Sequence, residues 1–140
     1  MKKTAIVSLL IVLVFSPFLF AAEFKPYPSA KLDEKATKEA NEAAAAAKMS
    51  GTKATIYTTN DSFKKVASFY KGIAKEYMMP RASGTSGKPK KYEKYDLWEA
   101  YFIFDGAKDL ASSKLWVKVQ RPYIGEEIRD VTAIVVSEKK

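Results

Sequence analysis

The sequence contains neither cysteine nor histidine. Without cysteine there is no disulfide, no thiol nucleophile, no cysteine-ligated metal centre and no lipid attachment through an N-terminal cysteine. Without histidine the commonest general base, the base of the Ser-His-Asp triad and the commonest zinc ligand are all missing. No internal repeat is evident, and no acid occurs before Glu23. A calcium loop is missing too, because the alternating Asp/Asn ligands and the distal Glu do not occur at the required spacing. These absences point away from enzymes and metalloproteins, so no cofactor, metal or catalytic residue is assigned.

What is present begins with an export pattern. Lys2 and Lys3 form a positive start, Ala5 to Phe15 an apolar run, Pro17 a break, and Ala21-Ala22 a small-residue exit. This reads as a cleaved signal peptide over residues 1–22, placing the mature chain in the periplasm or outside the cell without a lipid anchor. The alternative is an uncleaved anchor, since Ala5 to Ala22 is 18 residues, just long enough to span a bilayer. Membrane contact is expected only through that uncleaved form.

The remaining chain, about 118 residues, is a usual size for one domain with its own core. It carries 22 bases against 16 acids, and the imbalance is local. Residues 64–94 hold nine bases and two acids, while the rest is close to neutral. An electrostatic partner should therefore meet the protein in that region.

Three parts are expected: the signal (1–22), an extended lead-in with an alanine-rich helix (23–52), and an α+β domain (53–140). Pro26 and Pro28 keep the lead-in extended. Residues 31–49 are almost all strong helix formers, with a thin apolar stripe of Leu32, Ala36, Ala40, Ala44 and Ala47 and a stop at Ser50-Gly51. Lys53 to Thr59 is β-branched and reads as a strand. Asn60 or Asp61 is the expected cap of a second helix, whose apolar positions from Phe63 through Tyr70 and Ile73 to Met78 follow helical spacing until Pro80. Arg81 to Asp96 reads as a long loop. Strands then follow at Leu97 to Phe104, Lys114 to Gln120 and Val131 to Val136. The first alternates Trp98, Ala100, Phe102 and Phe104 against Leu97, Glu99, Tyr101 and Ile103, and the last is apolar at every position but Thr132. The expected fold is α+β: a roughly four-stranded antiparallel sheet with the main amphipathic helix packed across one face and the alanine-rich helix preceding it.

Tyr27-Pro28-Ser29-Ala30, followed by Thr58, Asp61-Ser62, Val66 and Phe69-Tyr70, resembles a pattern in small exported bacterial proteins of unassigned function. Those proteins carry a Tyr-Pro-Gly-Ala lead-in, a Thr-x-Asp-Ser cap and a helix with Phe-Tyr, then several strands. Here Ser29 stands where the glycine is usual, and an alanine-rich helix is interposed. The resemblance implies export and a comparable fold, and brings no activity.

Two binding surfaces and one weaker chemical site are candidates. The first is basic. Lys64, Lys71 and Lys75 lie within about 40° of one another on a helical wheel, and Lys88, Lys90, Lys91 and Lys94 follow, interleaved with Tyr92 and Tyr95. Such a mixture suits an anionic envelope polymer or an acidic protein, and nucleic acid is not expected outside the cytoplasm. The second is a groove for a small apolar ligand or peptide, built from Trp98, Tyr101, Trp116, Arg121 and Tyr123. The third is a carboxylate enzyme centred on Glu99, which a lysine on the next strand would instead neutralise. Gly84-Thr85-Ser86-Gly87-Lys88 is not a nucleotide-binding loop, because its glycines are too close and Pro89 follows the lysine. The best-supported expectation is a non-enzymatic binding or assembly module.

Overall fold

The structure, a computed structural model, describes residues 23–48 and 51–139. The signal read in residues 1–22 lies outside the described residues, as do Met49 and Ser50 at the expected end of the first helix. Among the described residues two helices and nine strands occur in the order β1 (Lys31–Leu32), α1 (Glu34–Ala46), β2 (Thr52–Thr59), α2 (Phe63–Lys71), β3 (Lys75–Tyr77), β4 (Lys90–Tyr92), β5 (Tyr95–Ile103), β6 (Leu115–Arg121), β7 (Tyr123–Ile124), β8 (Ile128–Arg129) and β9 (Thr132–Lys139). None of the described helices is long and apolar enough to cross a membrane.

The chain is α+β, but the expected four-stranded sheet is wrong. Seven strands form one sheet in the order β1-β2-β9-β6-β5-β3, with β4 also pairing β5, and β7 and β8 make a separate hairpin. All pairings are antiparallel. The additional strands are two or three residues long, too short to show alternation.

The second helix is also shorter than its apolar spacing suggests. It ends at Lys71 with Gly72 as C-cap. Gly72 is a poor helix former, and the amides of Ile73 and Ala74 both turn back to Tyr70 O, at 3.1 and 2.9 Å. Lys75–Tyr77 then pairs with Tyr101–Ile103 as a strand. Ile73 and Met78, which continue the helical period, are exposed. The cap is Ser62, whose hydroxyl accepts from the Lys65 amide at 3.2 Å, rather than Asn60 or Asp61. Leu32 likewise belongs to β1 and is exposed, because Asp33 caps α1 by accepting from the Ala36 amide at 2.9 Å.

The central strand is β9, lying between β2 and β6. Its alternate residues serve two cores. Ile134 and Val136 join Val117, Val119, Ala100 and Phe102 beneath α2, where Val66 and Tyr70 are fully buried. Ala133 and Val135 face the other way, toward Ile56, Tyr123 and the Ala36 and Ala40 side of α1. Helices therefore cover both faces, not one.

The lead-in is part of the main core. Tyr27 stands edge-on to Phe69 at 5.2 Å and is buried, and Tyr70 donates to the Lys25 carbonyl at 2.8 Å. The Tyr27 hydroxyl donates to Asp61 at 2.6 Å, and Ser29 shares a 2.7 Å bond with Thr59. The segments around Tyr27 and Asp61 are thus direct contacts of each other.

Both edges of the sheet are completed by side chains. Along β2, Asn41 accepts from the Ala54 amide at 3.0 Å and donates to the Ala54 carbonyl at 2.8 Å. One turn earlier, Thr37 accepts from the Ile56 amide at 2.9 Å. Residues four apart on a helix and two apart on a strand advance by about 6.0 and 6.6 Å, so two helical side chains can match one strand edge. On β5, Ser83 accepts from the Glu99 amide and donates to the Glu99 carbonyl, both at 2.9 Å, bridging the gap between β3 and β4.

Candidate functional site

The structure divides the basic set. Lys64 and Lys71 share α2, but Lys75 stands on β3, so the three do not form one helical row. Lys71 approaches Glu76 at 3.9 Å, Lys90 approaches Glu99 at 3.1 Å, and Lys91 approaches Asp96 at 2.8 Å. Lys94 sits 5.5 Å above the Tyr95 ring, and Tyr92 is exposed opposite Tyr95 on the β4–β5 hairpin. Among the described residues Lys64, Lys75, Lys88 and Lys94 have no carboxylate within ion-pair distance.

The aromatic set is divided as well, for a reason of parity. Trp98 and Tyr101 are three apart on one strand and point to opposite faces. Trp98 lies across from Arg121 on the α2 face. Tyr101 meets Trp116 at 6.0 Å on the other face, where Lys118 lies 5.7 Å above the Tyr101 ring. Tyr123 packs under α1 in a third place. No single groove holds all five.

What forms instead is a cleft of about 340 Å³ between the N-terminus of α2 and the Thr85–Gly87 turn. Phe63 and Trp98, with ring centres 5.6 Å apart, make its apolar wall, while Lys64 and Arg121 bring positive charge. The first amides of a helix lack intrahelical acceptors, and the Ser62 hydroxyl takes only that of Lys65. The cleft therefore adds the positive end of α2 to the two cations.

The turn is held by several constraints. Ser83 is tied to Glu99 as described, the Gly84 amide also donates to the Glu99 carbonyl, and the Thr85 amide donates to Glu76 at 2.9 Å. Gly84 has a left-handed φ of 65°, and at Gly87 an added Cβ would run into the Ser83 carbonyl oxygen. The Thr85 hydroxyl has no hydrogen-bond partner among the described residues, although Thr85 is only 7% exposed. An unpaired buried hydroxyl costs on the order of 1–3 kcal/mol.

Arg121 is equally fixed. One terminal nitrogen donates to the Asp61 carbonyl at 3.2 Å and to Thr132 at 3.0 Å, and the other to the Asp130 carbonyl at 3.0 Å. Its ion pair with Asp130, also 3.0 Å, is weak because the Asp130 side chain is 91% exposed. A second cavity, of about 450 Å³, lies beyond Trp98 and Arg121 and is lined by Tyr95, Pro122 and Ile128.

Glu99 is not a poised acid. Burial pushes its carboxyl up, but attraction and hydrogen bonds from Lys118 at 3.0 Å and from Lys90 outweigh that, leaving it below its ordinary value. At neutral pH it is an ionised anchor between two lysines and has no proton to give. Tyr27 is pushed up to about 12 by burial, then by its hydrogen bond to Asp61 and the charge there. The same hydrogen bond is the main cause holding Asp61 below its ordinary value. No cluster of three His, Cys, Asp or Glu suited to a metal ion occurs among the described residues.

Ser62, Phe63, Thr85 and Ser86 belong to the cleft although the sequence did not single them out as binding residues. The signal was Gly84-Thr85-Ser86-Gly87-Lys88, whose hydroxyls and glycines sit inside the basic region. A further groove of about 500 Å³ runs between α1 and the β7–β8 hairpin, with Ile56 and Val135 in its wall and Glu39, Glu42 and Glu126 around it.

No family model matches the chain, and no match is found among curated proteins or solved structures.

Proposed function

We propose that this chain is an exported, non-enzymatic binding module of the cell envelope that contacts an anionic partner through its basic region, centred on the α2 cleft. The observation that carries this reading is the meeting of Lys64 and Arg121 beside the N-terminus of α2. Lys88 directly follows the turn that closes the cleft and, like Lys64, has no carboxylate partner among the described residues. Lys64 and Lys88 thus keep their charge available to a ligand, and Arg121, whose pair with the exposed Asp130 is weak, adds to the positive field around them. Export follows from the sequence pattern of residues 1–22.

The test is retention of the mature chain on immobilised alginate, a polymer of acidic sugars, as salt is raised. Retention should fall steeply across roughly 0.05–0.3 M salt, where the screening length shortens to below about 10 Å. Lys64→Gln with Lys88→Gln should elute at lower salt than the parent. Lys71→Gln with Lys91→Gln, which removes paired lysines, should change elution less. Failure to bind, or retention indifferent to salt, rejects the reading.

A second reading, a small apolar-ligand or peptide binder, is favoured by the groove beneath α1. Its site would be Ile56, Val135 and Tyr123, because Trp116 packs against Tyr101 away from that groove.

A further inference from the structure

We infer that the α2 cleft is a subsite for one acidic sugar ring, held by its carboxylate or an equivalent anionic substituent. This rests on the anionic-partner reading and specifies what the partner presents at that point.

Three features of the cleft select such a ring. Its volume, about 340 Å³, is at the lower end of the roughly 300–1,000 Å³ found for ligand pockets, which suits a single ring rather than a long chain. One wall is apolar, from Phe63 and Trp98, and suits the C–H surface of a pyranose. The other walls carry the neutral hydroxyls of Ser62 and Ser86, both on exposed residues, with the buried Thr85 hydroxyl, unpartnered among the described residues, behind them. A planar aromatic acid would satisfy the wall and the charge but leave those hydroxyls unanswered. A bare inorganic anion would satisfy the charge but leave the apolar wall empty. A ring with several hydroxyls and one negative group answers all three.

Positive charge enters from fixed places. Arg121 is tied down by main-chain carbonyls of Asp61 and Asp130, so it is a stationary pole. Lys64, on the first turn of α2, is exposed and able to reorient toward an arriving group. The Thr85–Gly87 turn is anchored where it begins, by the Gly84 amide on the Glu99 carbonyl and the Thr85 amide on Glu76, which limits the ordering lost on binding.

The sequence has two tryptophans, and Trp116→Phe leaves Trp98 as the only tryptophan reporter. In that background the emission of Trp98 is followed as tetragalacturonate, maltotetraose or inorganic phosphate is added. Tetragalacturonate should give a saturable change, with neutral maltotetraose at least about tenfold weaker. Lys64→Gln should weaken tetragalacturonate by about fivefold, the loss of one exposed ionic contact, and leave maltotetraose unchanged. Ser86→Ala should weaken both sugars. Equal binding of the two sugars, or phosphate binding as well as tetragalacturonate, overturns the inference. No change with any probe, while alginate retention persists, overturns the subsite and leaves the anionic-partner reading standing. Loss of both rejects the two together.

Discussion

Asn41 offers a test in which two physical effects predict opposite signs. It lies within α1, where alanine is the better helix former by about 0.5–0.7 kcal/mol. On propensity alone Asn41→Ala stabilises the protein. Its side chain, however, makes both a 3.0 Å and a 2.8 Å bond to the backbone of Ala54 on β2. Each bond contributes about 0.5–1.5 kcal/mol net, so the pair is worth about 1–3 kcal/mol. Setting one against the other leaves Asn41→Ala less stable by about 1.5 kcal/mol, or about 6 °C in Tm for a domain of this size. Urea unfolding followed by circular dichroism reads the difference directly. Asn41→Asp, which keeps the acceptor for the Ala54 amide and loses the donor, should fall between the two. Glu42→Ala, on the exposed side of α1, should change stability by less than about 0.5 kcal/mol. Hydrogen exchange at Ala54 should quicken in Asn41→Ala more than elsewhere in β2. A variant as stable as the parent, or more so, refutes the clamp and leaves propensity as the deciding effect.

Ser83→Ala removes both bonds that bridge the β5 edge at buried Glu99, and should cost about 1–3 kcal/mol in urea unfolding; no loss would mean that water replaces the hydroxyl. Gly87→Ala drives a Cβ against the Ser83 carbonyl, so it should destabilise by about 1–3 kcal/mol and reduce alginate retention. Stability should fall on acidification: Asp33, Asp61, Asp105, Asp109 and Glu99 all lie below their ordinary values when folded, so the unfolded chain takes up protons first. Their contribution is complete above about pH 5 and disappears as pH drops through the lowered values, which urea midpoints between pH 6 and 2.5 would show; an unchanged midpoint refutes it. Tyr27 works in the opposite direction: its folded value of about 12 exceeds the usual 10, so its contribution is present below pH 10 and fades toward pH 12. Tyr27→Phe should flatten that alkaline limb.

The long strands were legible because alternation is local. Leu115, Val117 and Val119 face inward as their spacing required, and the apolar run Ala133–Val136 belongs to the central strand, which has a core on each side. The lysine partner of Glu99 was also legible, since Lys118 sits on the neighbouring strand. Periodicity misled at Ile73 and Met78, where a helical spacing continued past Gly72 while the backbone had already turned into β3. Strands of two or three residues carry no period, so the width of the sheet was missed. The cleft was harder still. Ser62, Thr85, Trp98 and Arg121 come from four separate segments, brought together by the pairing of β5 with β6, the anchoring of Ser83 on Glu99 and the Arg121 bond to the Asp61 carbonyl.

The position of β9 bears on the history of each molecule as it is made. β2 has long neighbours on one side only, and that neighbour is β9, from Thr52 opposite Lys139 to Thr59 opposite Thr132. β6 reaches β2 only through the same strand. A chain interrupted before Thr132 thus possesses two half-sheets with no strand pairing between them, in contact through α2 and the Arg121 bond to the Asp61 carbonyl. Such pairings distant in sequence form slowly, on the scale of milliseconds to seconds. The delay matters if the chain must pass through a translocation channel as an unfolded thread. The keystone emerges after every other strand, so closure of the sheet waits until the residues that complete it are present.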